Sequence, residues 1–346
     1  DVVVGCYYIT KSQDGMKGEG KIFTSPDEAI MAYRNDIIHV KAKVKIRVDG
    51  KILDTSVGRV IFNQLLPKEM GFRNEVFDKK KLQALVREAH KMYGNDLTAE
   101  LIDRIKATGF FYATKSGLSW GMDDLKIPEI KQELLAKADI QVEQTYQHFR
   151  EGLLTEEERK AQVIEIWSGV LEELSKKVTQ SVDPNGSVNS MVVSGARGSF
   201  AQVSQMAGMK GLVVNPAGDV IELPVKGSFK EGLTVLEYFI STHGSRKGMS
   251  DTALRTADAG YLTRRLVDVA QDIVVNAEDC ETKDFIDVTR EMSEKMNKDF
   301  GKRLFGRVAS EDIKDKNGKV IVSKNQGIDE ADSKLIGDPG SGISSV

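Results

Sequence analysis

Apolar residues recur every three or four positions over two long stretches of this chain. Ile130, Leu134, Leu135, Ala138, Val142, Tyr146 and Phe149 mark the first; Val163, Ile166, Trp167, Val170, Leu171, Leu174 and Val178 mark the second. That spacing predicts helices with one buried stripe each. Pro128 opens the first, and Thr155-Glu156-Glu157-Glu158 is a capping box at the head of the second. Only the tip Glu151-Gly152-Leu153-Leu154 separates them, so they must run antiparallel. Their charged flanks read as solvated surface. A period of two is clearest at Val40–Val48, where apolar and basic residues alternate; Asp49-Gly50 then reads as a hairpin turn into Lys51-Ile52-Leu53. Residues 1–60 read as short strands and turns, with Cys6-Tyr7-Tyr8-Ile9-Thr10 taken as β-rich and a helix opening at Ser25-Pro26-Asp27-Glu28. Helices are expected from Thr55 to a stop at Pro67, and over roughly 78–93 and 97–106 with Asn95 and Thr98 as caps.

Beyond the hairpin, Asp183-Pro184-Asn185-Gly186 is a turn. Residues 190–214 read as a small-residue-rich helix or loop-helix, 215–232 as a loop, and 235–274 as a second long helix. Gly306–Ala309 and Lys319–Val322 look strand-like, and the last ten residues look like a loop. The fold class is therefore α+β, predominantly helical and multi-module. Length alone suggests two or three modules.

Composition narrows the chemistry. The chain has 346 residues, 40% hydrophobic and 29% charged, a globular balance. No apolar run approaches the 18 or so residues of a membrane span. Cys6 and Cys280 are the two cysteines, which excludes a disulfide framework and a complete cysteine-clustered zinc site. Lys and Arg number 49 against 52 Asp and Glu, a net charge of −3, so only local basic patches could meet nucleic acid. No phosphate loop of the GxxxxGK[ST] type and no HExxH occurs, and His39, His90, His148 and His243 suggest no triad. Gly195-Ala196-Arg197-Gly198 superficially resembles a phosphate cradle but has no strand before it. Asp123-Asp124 and Glu156–Glu158 are acidic pairs that helix starts favour in any case. The segment 235–274 is the odd one. Gly244, Gly248 and Gly260 each cost a helix about 1 kcal/mol against Ala. Either the helix must bend or be approached closely, or it packs tightly through its glycines. An Asp251–Arg255 link is the bland account of part of its charge; the pairs Arg246-Lys247 and Arg264-Arg265 could meet phosphates.

At these residues a family resemblance emerges. Tyr238-Phe-Ile-Ser-Thr-His-Gly-Ser-Arg-Lys-Gly-Met-Ser-Asp-Thr-Ala-Leu-Arg-Thr-Ala-Asp-Ala-Gly-Tyr-Leu-Thr-Arg-Arg-Leu-Val-Asp-Val269 closely resembles the bridge helix of the largest-subunit (beta prime) family of bacterial DNA-dependent RNA polymerases. Ser194–Gly211 resembles the loop supporting that helix. The opening Asp1–Thr10, Thr55–Asn63 and Ser116–Asp124 also match the family pattern, so the likeness runs along essentially the whole chain in order.

The resemblance implies a pore region over 1–125, the rim helices of a secondary channel in the hairpin, and a bridge helix within 226–275. It implies template-directed nucleotidyl transfer by a bacterial, cytoplasmic complex. Its partners would be the beta, alpha, omega and sigma subunits, a DNA template, RNA and secondary-channel elongation factors; no membrane is involved. Thr256, Ala257, Gly260 and Tyr261 would lie near the template and the terminal RNA–DNA pair. Arg246 and Lys247 would be a basic hinge, Arg255 and Arg264 further nucleic-acid-proximal groups, and Arg197 a contact to nucleotide phosphates. Glu156, Glu157 and Glu158 would be the factor-docking tip.

Two departures matter. The family's Mg2+-binding motif NADFDGD is absent, and Cys280 would be a single ligand of an incomplete Zn2+ site. Hence no catalytic residue is assigned, neither ion is expected to be fully bound, and the isolated chain is expected to be inactive. A docking module acting through the hairpin, or a stand-alone coiled-coil scaffold, are the alternatives. Leu236, Phe239, Leu254, Tyr261 and Leu266 would need neighbours, so the long helix is expected to be disordered, broken near Gly244–Gly248, or packed on another molecule.

Overall fold

A computed structural model describes residues 1–48, 50–276, 282, 284–316 and 318–346. They form two compact units, Asp1–Ala259 and Gly260–Val346, with the division falling inside the long helix.

In the first unit the chain opens with α1 (Val2–Thr10), where the sequence pattern suggests a strand. A short apolar run without alternation fits a buried helix as well as a strand, and here the surroundings decide. Cys6 and Ile9 are fully buried. β1 (Ile22–Phe23) follows, then α2 (Pro26–Arg34), whose start Ser25 caps by accepting from the Glu28 N–H, in line with the sequence. β2 (Lys43–Val48) and β3 (Lys51–Ser56) form an antiparallel hairpin with Val48 opposite Lys51, while β1 pairs parallel to β2. Val44 and Ile46 face inward and the lysines outward, so the alternation reads true. Asp49 lies outside the described residues. α3 (Val57–Asn63) is capped by Ser56.

α4 (Lys79–Ser116) is capped by Asp78 and broken at Gly94, whose φ of 72° belongs to the left-handed region. The two helices expected here are therefore present, the second running past 106 to Ser116. Asn95 and Thr98, expected as caps, bond across the break instead: Asn95 Oδ1 meets His90 Nε2 at 2.8 Å, and the Thr98 hydroxyl donates to the Gly94 carbonyl.

α1 is wedged between α3 and the second half of α4 by the absence of side chains. A Cβ on Gly5 would sit 1.8 Å from the Gly109 carbonyl oxygen, and one on Gly58 would sit 1.8 Å from that of Ile9. Arg59 donates to the Thr10 carbonyl and to Asn74 Oδ1, and the Phe77 N–H donates to the Thr10 hydroxyl. Burial pushes the Cys6 thiol up to about 12, the mark of an inert packing residue.

α5 (Lys131–Arg150) and α6 (Glu156–Ser181) form the antiparallel hairpin, with the capping box at Thr155 present. Leu134, Leu135, Ala138, Val163, Trp167, Leu174 and Val178 make its core. The turn at Asp183–Gly186 leads to α7 (Ser187–Val193) and α8 (Phe200–Ala207), so the helix-or-loop stretch resolves into two short helices. A loop ending at Gly232 precedes α9 (Val235–Ala270), and no helix among the described residues is long and apolar enough to cross a membrane.

The second unit has its own core around Val288, Phe300, Leu304, Val322 and Ile336. It carries α10 (Arg290–Lys295), α11 (Phe300–Leu304), a two-stranded sheet of β4 (Ile313–Lys314) and β5 (Val320–Val322), and α12 (Glu330–Gly337). The strand expected at Lys319–Val322 is there, but Gly306–Ala309 contributes only an isolated bridge between Val308 and Gly327. The terminal segment is not a plain loop. α12 is followed by a short turn, and Val346 exchanges backbone hydrogen bonds with Val288.

Candidate nucleic-acid interface

The start of α9 is fixed by its own residues. The Thr234 hydroxyl accepts from the Glu237 N–H, and Glu237 accepts from the N–H groups of Thr234 and Gly227. Burial opposes the charge on Glu237, but these donors hold its carboxyl below the usual range. Ile240 and Ser241 are buried, Thr242, His243, Gly244, Lys247 and Asp251 are half-buried, and the helix from Thr252 onward is exposed.

The helix is continuous through Gly244, Gly248 and Gly260, so the expected break is absent. The expectation that its apolar residues find no cover in this chain stands: Leu236, Phe239, Leu254, Tyr261 and Leu266 are all more than half exposed. Among the described residues a Cβ at any of the three glycines would meet nothing within 4 Å. Close packing through glycine is therefore not their role inside this chain, which leaves bending, or approach by something else.

At about 100° per residue, Arg246, Ala253, Thr256, Ala257, Gly260, Tyr261 and Arg264 fall on one side of a helix. All are exposed. The Thr256 hydroxyl is turned to its own helix, donating to the Thr252 carbonyl at 2.8 Å. Arg264 is 3.9 Å from Asp268, and the Arg265 guanidinium lies over the Tyr261 ring at 5.6 Å. The result is a strip between two arginines in which small side chains are flanked by the exposed Met249 and Tyr261. A flat partner such as a base pair could approach it closely, with the exposed guanidiniums within reach of phosphate.

Three predicted residues fall elsewhere. Arg255 lies on the opposite side of the helix, and among the described residues no ion pair joins it to Asp251, contrary to the i, i+4 expectation. Lys247 is half-buried and its Nζ donates to the Pro216 carbonyl at 2.9 Å. Arg197 is exposed in a turn between two positive-φ glycines, Gly195 and Gly198. That turn docks on α4, where the Lys79 N–H donates to the Ser194 carbonyl; no hydrogen bond or ion pair among the described residues joins Arg197 to α9.

At the hairpin tip the three acids divide their tasks. Glu158 closes the capping box, and the Thr155 N–H holds its carboxyl below the usual range. Glu156 pairs with Lys160 at 3.1 Å. The Glu157 side chain has neither hydrogen bond nor ion pair among the described residues. Asp124 is likewise structural, accepting from the Gly121 N–H at 2.7 Å. Cys280 lies outside the described residues. Among the described residues no three His, Cys, Asp or Glu side chains come together as a metal site would need.

Sequence reasoning missed Arg159 and Glu222. Arg159 sits one turn before Val163 on the buried stripe of α6, and a charge at an apolar-face position was the signal. Its guanidinium meets Glu222 at 2.5 and 3.2 Å and lies 5.0 and 5.3 Å from the Tyr146 and Phe149 rings.

Models of three consecutive domains of one family match the chain: RNA polymerase Rpb1 domain 3 over residues 1–125, domain 4 over 154–230 and domain 5 over 232–338. Curated relatives agree. The DNA-directed RNA polymerase subunit beta' of Pelotomaculum thermopropionicum is 46% identical over 343 residues, which is 97% of this chain and 29% of the relative. The subunit of the same name from Desulforamulus reducens is 48% identical over 330 residues, 94% of this chain and 28% of the relative. That of Roseiflexus castenholzii is 41% identical over 384 residues, 96% of this chain and 26% of the relative. The chain belongs to the family of RNA polymerase largest subunits, the beta prime subunits of bacteria. It spans less than a third of the length of the curated relatives it matches.

Proposed function

We propose that this chain supplies the bridge helix and the secondary-channel rim of a DNA-directed RNA polymerase, a cytoplasmic nucleotidyltransferase. The observation that carries the reading is the strip on α9. Small residues stand exposed between Arg246 and Arg264 on a helix whose glycines pack against nothing among the described residues. Residues 1–125 are the pore region, 126–225 the rim with its supporting loop, and 226–346 the bridge helix and the start of the next cleft module. The beta, alpha, omega and sigma subunits, template DNA and RNA are the partners. Polymerisation belongs to the assembled enzyme, not to this chain alone.

The test places Arg246→Ala and Arg264→Ala in the largest subunit of an assembled polymerase and measures nucleic-acid affinity against salt. Each arginine that meets a phosphate contributes about 1 to the slope of log affinity on log salt, so the double variant should lose about 2. An unchanged slope would remove both residues from the interface.

A second reading concerns the hairpin, where Leu153 is 68% exposed and Glu157 is uncommitted. It is the docking post for elongation factors. Reversing all three acids would also destroy the helix cap, so Glu157→Lys is the cleaner probe. It should weaken pulldown of a secondary-channel factor by about threefold or more, as loss of one rim charge does. Undiminished capture would count against the tip.

A further inference from the structure

Lys41 lies between α2 and β2, beside the residues that follow α1. The Gln13 N–H donates to its carbonyl at 3.0 Å, and Gln13 bridges Ala42. Its Nζ sits 4.0 Å from the centre of the Tyr8 ring. The residue is half-buried, yet its amine is not sealed from solvent.

What the amine lacks is a counter-charge. Among the described residues no carboxylate pairs with Lys41. The acids of the surrounding loops are already engaged, Asp36 by Lys17 at 2.9 Å and Asp14 by Lys43. Its charged neighbours are cations instead. Lys11, just after α1, acts on Lys41 while its own ammonium donates to the Pro184 carbonyl. Lys115 on α4, bonded to the Tyr33 hydroxyl, acts on Tyr8 and His39. His39 Nδ1 accepts from the Lys41 N–H, and burial and then the Lys41 charge push its ring toward the neutral form. Burial first, and Lys11 second, bring the Lys41 amine down to about 8. The Tyr8 ring face favours the charged amine and offsets part of that effect.

A lysine attacks an acyl carbon only as the neutral amine, and desolvation beside a second cation is what activates one. The same two ammoniums attract a small dianion. The geometry points to Lys41 as an acyl-acceptor site that small acyl phosphates modify without an enzyme. The Nζ lone pair forms a bond to the acyl carbon, and the bond from that carbon to the phosphate oxygen breaks. The proton released by the nitrogen leaves with the phosphate as hydrogen phosphate. The product is a neutral amide, which needs no counter-charge at a half-buried position. This inference stands apart from the bridge-helix reading and from its tests.

The test treats the 346-residue chain with acetyl phosphate and follows each lysine by peptide mass spectrometry. At about pH 7.5 Lys41 should be acetylated about tenfold faster than the exposed Lys51. Its rate should reach half of its plateau near pH 8, where an ordinary lysine needs a pH above about 10. Lys11→Gln removes the neighbouring cation. It should raise that midpoint and slow Lys41 at about pH 7.5 by about threefold. The pH profile of the unaltered chain decides the matter even if Lys11→Gln loosens α1. Three results would overturn the inference. One is Lys41 reacting no faster than Lys51. Another is a midpoint above about 9.5. The third is a rate at Lys41 that Lys11→Gln leaves unchanged in a folded chain.

Discussion

Gly5→Ala is expected to unfold the α1–α3–α4 assembly, at a cost of about 3 kcal/mol, at the upper end of overpacking penalties. The reason is backbone against backbone. The new Cβ would lie 1.8 Å from the Gly109 carbonyl oxygen and 2.9 Å from the Ala113 nitrogen, and neither atom can rotate away. Gly109 is no freer, since a Cβ there would meet Val2 at 2.8 Å. α1 would have to withdraw, exposing Cys6 and Ile9 and stranding the Phe77 N–H that now uses Thr10. Urea denaturation followed by peptide-level hydrogen exchange should show α1 and α4 losing protection first. Gly169→Ala on α6 is the control. Nothing lies within 4 Å of its Cβ, so it should leave stability unchanged or raise it by up to about 1 kcal/mol. If Gly5→Ala matches that control, the close approach is not what holds α1.

The second large effect separates stability from function. Replacing Gly244, Gly248 and Gly260 together by alanine should stabilise α9 in the chain by about 1 kcal/mol per site. Each Cβ enters open space and each backbone gains helix propensity. In an assembled polymerase the same three changes should slow template-directed extension by about tenfold, because a stiffer, bulkier helix misplaces whatever it meets. Measuring melting of the chain and elongation by the complex on the same variant decides it. A more stable helix with full elongation would mean that the glycines serve neither bending nor approach.

The elements legible in the sequence are those whose causes are local. The hairpin can be read because its stripe of apolar residues and its Thr155–Glu158 capping box are contained within the elements themselves. The Ser25 cap and the β2 alternation are of the same kind. α1 reads wrongly as a strand because its helix is imposed from outside, by glycines some fifty and a hundred residues further on. The break at Gly94 can be anticipated as two helices, but not that Asn95 and Thr98 bond across it. For α9 the motif locates the segment, while its continuity comes only with the structure. Its caps at the N-terminal end and its solvent-exposed body are consistent with a helix that needs no neighbour to form. The role of Lys247 in holding Pro216 is invisible in the sequence because its partner is a backbone carbonyl thirty-one residues away.

The charge pairs along the hairpin bear on the order in which this unit assembles. Lys131–Glu231, Lys226–Asp139 and Arg159–Glu222 join residues 100, 87 and 63 positions apart, whereas α5 and α6 meet through the short connection 151–155. Short loops close early and long ones late. The hairpin should therefore collapse first, with Lys131 and Arg159 still hydrated. Their burial must wait for the arrival of 222–231, so the docking of that segment is expected to follow helix formation.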